Sequence, residues 1–528
     1  MFLMKAGTGV EAALRDPGQL ARHELQPGLG VDGVLFLKTT AGDVPWWVEF
    51  LNPLASDDLR APVSRTTSAV LSVRLGTRGR NARTVCFTFG HGRYLLDERR
   101  IDHTFGLRVA LNTVDPLRLR GFDVRRQEDI VVSARIQTSR GADLGAFDLD
   151  TLRDMLRSAA GATRDEFAAL LGSLVRGSVG VTFDVPIQVE GLVDRAREVL
   201  RLSRGSGYKE FFPFVDHVQP VDQEIGGQLD SHLAEAMEAV AGGMESGFRL
   251  IYLAPPEVLD LEAAEGFLYS SEWGSPKTVH AEMSIDDYLA TRQGRKLGPD
   301  VERARKDRVL VRTEGDVDRP LASVYRCLIA EVTHQGRTFQ LVDGHWYVIE
   351  PDFEERVRDQ VRALPGAPMA FPPLQTGETE QSYNQRVASS LNGLLLDRNT
   401  VPIGGGANRI EVCDIAFTDR TLVHAKKRSA SSTLSHLWSQ GTVALDALLG
   451  DADFRIRVRD RVRGLDPGFE HIVNDGLVGT DYRVVYLLLG VDEGTQPWQA
   501  LPFFSQVALS QAARTLRNMG ASVALAGA

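Results

Sequence analysis

Along this chain, apolar positions recur at a strand period in some stretches and a helix period in others, and the switches mark its elements. Val34-Leu35-Phe36-Leu37, Ala69-Val70-Leu71-Ser72-Val73 and Val85-Cys86-Phe87-Thr88-Phe89 are β-rich runs bounded by Gly, Asp, Asn and Arg clusters. With Phe105–Asn112 they make residues 1–134 an α+β domain. Residues 135–370 alternate helical and strand-like segments. Asp148–Ala159 and Arg164–Val175 have helical spacing and acidic first turns, and Leu229–Val240 is a further amphipathic helix. Phe248–Leu253 reads as a buried strand ended by Pro255-Pro256. Tyr325–Val332, Thr338–Val342 and Trp346–Ile349 predict an antiparallel meander turned at Gln335-Gly336 and Asp343-Gly344, followed by a helix over Phe353–Leu364.

The proline-rich stretch from Pro365 to Pro373 favours an extended spacer. Residues 371–528 then read as one α/β unit. A helix over Thr379–Leu391 stops at Asn392-Gly393 and precedes strands at Leu394–Asp397, Arg409–Phe417 and Thr421–Lys426. A helix from Ser431/Ser432 to about Leu449, a strand over Tyr482–Gly490, a helix over Phe503–Met519 and a last strand over Ala521–Ala526 complete it. The core order is α-β-β-β-α-β.

Composition narrows the function classes. A length of 528 residues suggests roughly three or four domains. The 43% hydrophobic and 25% charged content excludes a disordered chain or a collagen-like repeat. The net charge of −10 excludes a uniformly basic nucleic-acid coat but not a local basic groove. Cys86, Cys327 and Cys413 are too few and too scattered for a disulfide framework or a cysteine zinc cluster. The opening residues are too short for a signal h-region, and no run approaches the ~18–20 apolar residues that span a bilayer. A cytoplasmic protein with no membrane partner is expected.

Chemistry concentrates in the C-terminal unit. In a regular strand Asp414 shares a face with Val412 and Ala416, while Glu411 points the other way unless a bulge re-aims it. On the next strand His424 and Lys426 share a face, and a hairpin brings Asp414 beside them. A carboxylate holding a hard cation next to a lysine is what metal-assisted phosphodiester hydrolysis needs. The bland alternative is a structural ion pair between neighbouring strands. Between Thr421 and Arg463, Lys426, Lys427, Arg428, Arg455, Arg457, Arg459, Arg461 and Arg463 outnumber Asp446, Asp451, Asp453 and Asp460. That local excess favours a phosphate partner, with a solvated charged face as the alternative. The Gly90-His91-Gly92 turn either presents amides to an anion or simply needs positive φ.

The α-β-β-β-α-β order with Asp414 followed by His424-Ala425-Lys426 resembles the PD-(D/E)xK restriction-endonuclease-like superfamily. Glu380 stands on the preceding helix where many members carry an accessory acid, and Gln440 where some carry a glutamine. The resemblance covers roughly residues 376–528 and implies a restriction-endonuclease-like C-terminal α/β core, following N-terminal and middle domains that the residue pattern reads as α+β. It further implies Mg²⁺ or Mn²⁺ and DNA or RNA as substrate, contacted by Gln440, while the local basic excess offers Lys427, Arg428, Arg455, Arg457 and Arg459 to bind it. The whole chain is also similar to a sporadically distributed family of uncharacterised prokaryotic proteins found near restriction and phage-defence genes. Thr88–Arg93, Phe105–Asn112, Tyr383-Asn384, Leu395-Leu396-Asp397, Ile410–Asp414 and His424–Leu437 carry that similarity. It implies a role against foreign nucleic acid, as a homodimer or with a defence-system partner.

One departure matters. Where the superfamily places an acid before x-Lys, this chain has His424, and neutral imidazole suits Mn²⁺ or Zn²⁺ better than Mg²⁺. Either Glu411, Asp397 or Glu380 supplies the missing oxygen beside Asp414, or His424 acts as a base, or the site is degenerate.

Overall fold

The structure, a computed structural model, describes residues 1–25, 32–41, 65–76, 82–126, 131–186, 191–244, 246–256, 264–272, 274, 277–292, 300–313, 317–403, 409–427 and 434–528. The fold is mixed α/β and built on several small sheets. Met1–Arg125 with Ala134–Val215 forms one unit, and Arg126–Ser133 with Asp216–Ala528 the other. The division after Val215 falls inside the 135–370 stretch.

In the first unit, Phe2–Leu3, Ala21–Glu24, Gly33–Ala41, Arg65–Leu75 and Arg83–Phe89 form an antiparallel sheet. Gly90 has φ +56°, and a Cβ at Gly92 would stand 2.1 Å from the Ala69 carbonyl, so the Gly-His-Gly turn is demanded by packing. Helix Phe105–Thr113 is buried along nearly its whole length. Its Asn112 is fully satisfied: Nδ2 donates to Leu202 O and Gly205 O, and Oδ1 accepts from Tyr208 N, each at 3.0 Å. Asp148–Ala159 is not a helix; Asp154–Thr163 is a strand paired with Leu174–Gly177. Its Ala, Ser and Gly residues hide the two-residue alternation, and sheet packing overrides the helix preference of alanine. Of Arg164–Val175 only Asp165–Leu171 is helical, stopped at Gly172 with φ +88°.

In the second unit the predicted meander forms. Leu328–His334, Arg337–Val342 and His345–Ile349 pair antiparallel, and left-handed pairs at Gln335-Gly336 and Asp343-Gly344 close both hairpins. Helix Pro351–Arg362 follows. The proline-rich stretch is no free spacer. Ala367, Met369, Phe371 and Leu374 pack on the C-terminal core, and Pro365 O accepts from Leu525 N at 3.0 Å.

The C-terminal core comprises α1 (Glu380–Ser390), β1 (Leu394–Leu395), β2 (Thr400–Pro402), β3 (Arg409–Glu411), β4 (Ile415–Ala416), β5 (Thr421–Lys427), α2 (Leu434–Gly450), α3 (Ala452–Leu465), β6 (Arg483–Leu489), α4 (Phe503–Asn518) and β7 (Ser522–Gly527). The sheet order is β1-β4-β5-β6-β7; β4 runs antiparallel to both its neighbours, β1 and β5, whereas β5, β6 and β7 run parallel. Both faces are covered, as the apolar run Val484–Leu489 requires. Val423, Ala425, Val485 and Leu487 meet Tyr383 and Val387 of α1, while Leu422, Val484, Tyr486 and Leu488 meet residues of α2 and α4.

Two details complete the core. Arg455, Arg457 and Arg459 lie on α3, a helix capped by the Asp451 side chain. The expected continuous strand over Arg409–Phe417 is interrupted at Val412-Cys413-Asp414.

Candidate metal centre

That interruption builds the site. Among the described residues β3 pairs with β2 alone, while β4 pairs with β1 and β5, so the chain changes partners across the break. The two-residue alternation no longer separates Glu411 from Asp414. The freed Asp414 carbonyl accepts from Leu396 N at 2.8 Å and from Asp397 N at 3.0 Å. Arg398, left-handed at φ 60°, gives its N–H to the Glu411 carboxylate. As a result Asp397, Glu411 and Asp414 each present a carboxylate oxygen, all within 4.8 Å of one another.

Helix α1 completes the wall. Thr379 caps it, accepting from Ser382 N at 3.2 Å, and the Tyr383 hydroxyl donates to Pro372 O at 2.8 Å. Glu380 and Asn384 stand one turn apart on one face. Asn384 is wholly buried and donates from Nδ2 to Asp414 Oδ1 at 3.4 Å. Asp414 Oδ2 accepts from Ala425 N at 2.8 Å. Glu380 takes the Lys426 ammonium at 3.0 Å and the Lys427 N–H at 3.0 Å.

Three acids in a buried place repel one another's ionised forms. Burial raises the Asp414 carboxyl to about 8; the Ala425 N–H works against this, and Glu411, Asp397 and Glu380 add to it. Glu411 is raised as well, by burial first, then Asp397 and Glu380, with the Arg398 N–H and Lys426 opposing. Such a cluster is short of positive charge at its centre. All its donors are oxygens, which suits a hard divalent cation.

His424 does not join the three acids. It is 2% exposed, its ring centroid lies 6.0 Å from that of Tyr486, and Nε2 has no partner among the described residues. Burial alone holds its pKa down at about 4. Gln440 is half-buried on α2 and makes no hydrogen bond to the acids. The expected basic groove is largely spent inside the protein. Arg455 donates to Leu448 O and Leu449 O at 2.9 Å, Arg457 to Pro402 O at 3.1 Å, and Arg459 to Val473 O at 3.1 Å while pairing with Asp475 at 2.9 Å. Lys427 is exposed, with Nζ 3.2 Å from Glu378 O. Arg428 lies outside the described residues, as do Ser431 and Ser432.

Asn384 is the site residue that sequence reasoning passed over. Its spacing of four from Glu380 on a predicted helix was the available signal.

Fold and site together define a mixed α/β protein with a carboxylate trio, Asp414 buried and Asp397 and Glu411 half-buried, beside a Glu–Lys pair. The chain belongs to a family of unknown function (DUF6119), whose model matches residues 1–528. No curated protein and no solved structure matches it. Among the described residues, no helix is long and apolar enough to cross a membrane.

Proposed function

We propose that Asp397, Glu411 and Asp414 hold a Mg²⁺ or Mn²⁺ ion and that the chain hydrolyses phosphodiester bonds in DNA or RNA. The observation that carries this reading is the meeting of three carboxylates within 4.8 Å beside Lys426. The α-β-β-β-α-β order, with an antiparallel β4–β5 hairpin and parallel return to β6, supports the restriction-endonuclease-like reading of the core. When bound, the cation polarises a phosphate oxygen and acidifies water. Lys426 offsets phosphate charge and orients the attacking water, and Glu380 holds the Lys426 ammonium in place. Asp397 and Glu411 supply the oxygens that His424 lacks. The mutational test is direct: Asp414→Ala and Lys426→Ala should fold normally and lose hydrolysis, and full cleavage by both sinks the proposal.

One observation favours a second reading. His424 occupies the acid position of the triplet and is buried against Tyr486, as in a nucleic-acid-binding module without chemistry. That module would bind salt-sensitively, ignore metal, and tolerate Asp414→Ala.

A further inference from the structure

A buried asparagine ordinarily satisfies both ends of its amide, as Asn112 does in this chain. Asn384 does not. It is 0% exposed; among the described residues its side chain makes one hydrogen bond, the long Nδ2 contact of 3.4 Å to Asp414 Oδ1, and its Oδ1 has no partner. The backbone leaves it little freedom. It sits within α1, between Tyr383, which is tied to Pro372 O, and Val387, which is packed on the sheet. An amide is ambidentate, and a half-turn about its last torsion exchanges nitrogen for oxygen. That half-turn places Oδ1 where Nδ2 now stands, 3.4 Å from an Asp414 oxygen. Adjacent oxygens around one octahedral cation lie about 3.0 Å apart for Mg²⁺ and about 3.4 Å for Ca²⁺-like bond lengths.

We infer that Asn384 is a fourth oxygen ligand of the cation, its amide turning from a donor to Asp414 into a carbonyl ligand when the ion enters. This rests on the reading of Asp397, Glu411 and Asp414 as a cation site. With the amide nitrogen facing Asp414, the metal-free trio keeps a weak donor among its acids. With the oxygen facing inward, Oδ1 exchanges an unpartnered place for a cation and Nδ2 gives up its one long bond, so the two states differ by one side-chain torsion and no backbone movement. A neutral amide also adds a ligand without adding a fourth negative charge to a crowded site.

The test is Mn²⁺ binding to the full chain, by calorimetry and by pulsed ENDOR on protein carrying ¹³C-asparagine. Wild type, Asn384→Ala and Asp414→Asn are compared, with thermal unfolding in EDTA as the fold control. Asp414→Asn should abolish binding, and Asn384→Ala should weaken it about tenfold or more. Wild type should show a ¹³C coupling to Mn²⁺ that Asn384→Ala lacks. Should Asn384→Ala fail to fold, the coupling in wild type decides alone. Mn²⁺ bound with no such coupling, or bound equally by Asn384→Ala, overturns the role of Asn384 and leaves the trio intact. Wild type that binds no Mn²⁺ overturns the trio as a cation site, and with it this inference.

Discussion

The main-chain carbonyl of Asp414 accepts the N–H of Asp397 at 3.0 Å, and through this contact the turn after β1 and the break before β4 bring two carboxylates together. The Asp397 charge adds to the rise of the Asp414 carboxyl that burial begins, so the site's charge is linked to pH.

The Asp414 carboxyl is pushed up to about 8, against an ordinary value of 3.8. Between those values the folded chain holds a proton that the unfolded chain has released. The contribution to stability is therefore full below about pH 4 and is lost as pH rises through about 8. In EDTA, wild type should lose stability between pH 5 and 8 relative to Asp414→Asn, by on the order of a few kcal/mol. Parallel melting curves across that range would contradict it.

His424 shows the opposite sign. Burial holds it at about 4 instead of 6.5, so its contribution is full above pH 6.5 and is lost as pH falls through 4. His424→Phe should flatten the acid side of the stability profile while leaving Mn²⁺ affinity unchanged. A fall in cation affinity would place His424 in the site after all.

The arginines of α3 should behave as structure. Arg459→Ala removes a guanidinium bonded to Val473 O and Asp475, and should cost about 1–2 kcal/mol in denaturant unfolding. The salt dependence of any nucleic-acid binding should stay as in wild type. A shallower salt slope with unchanged stability would return Arg459 to a phosphate-binding role.

How much of this was readable in the chain depends on which forces act locally. The hairpins at Gln335-Gly336 and Asp343-Gly344, the helix that follows Thr379 and the apolar strand Val484–Leu489 follow from local chemistry and stand where the pattern puts them. Asp154–Thr163 does not, because small residues suit helix and strand alike and the neighbouring strand decides. The site was half legible. Asp414, Lys426 and the acids at 380, 397 and 411 stood out as residue types, but their grouping depends on a change of strand partner at Val412-Cys413-Asp414 that no two-residue alternation reveals. The spacing of Arg455, Arg457 and Arg459 suits a strand or a helix, and they stand on a helix. Only the main-chain carbonyls they cap show why they are there.

Lys426 separates stability from chemistry. Its pair with Glu380 is partly exposed on both sides, so Lys426→Ala should change stability by no more than about 1 kcal/mol. Turnover should fall on the order of a hundredfold or more. Equal loss of fold and activity would make Lys426 a structural partner of Glu380.

The central claim is that the trio serves phosphodiester hydrolysis through a divalent cation, and the metal requirement of cleavage tests it most directly. Purified full-length chain would be incubated with duplex DNA, single-stranded DNA and RNA in EDTA, Mg²⁺ or Mn²⁺. The account predicts cleavage of at least one polymer with Mg²⁺ or Mn²⁺ and none in EDTA. Cleavage that persists in EDTA, or salt-sensitive binding without cleavage under any of the metals, would contradict it.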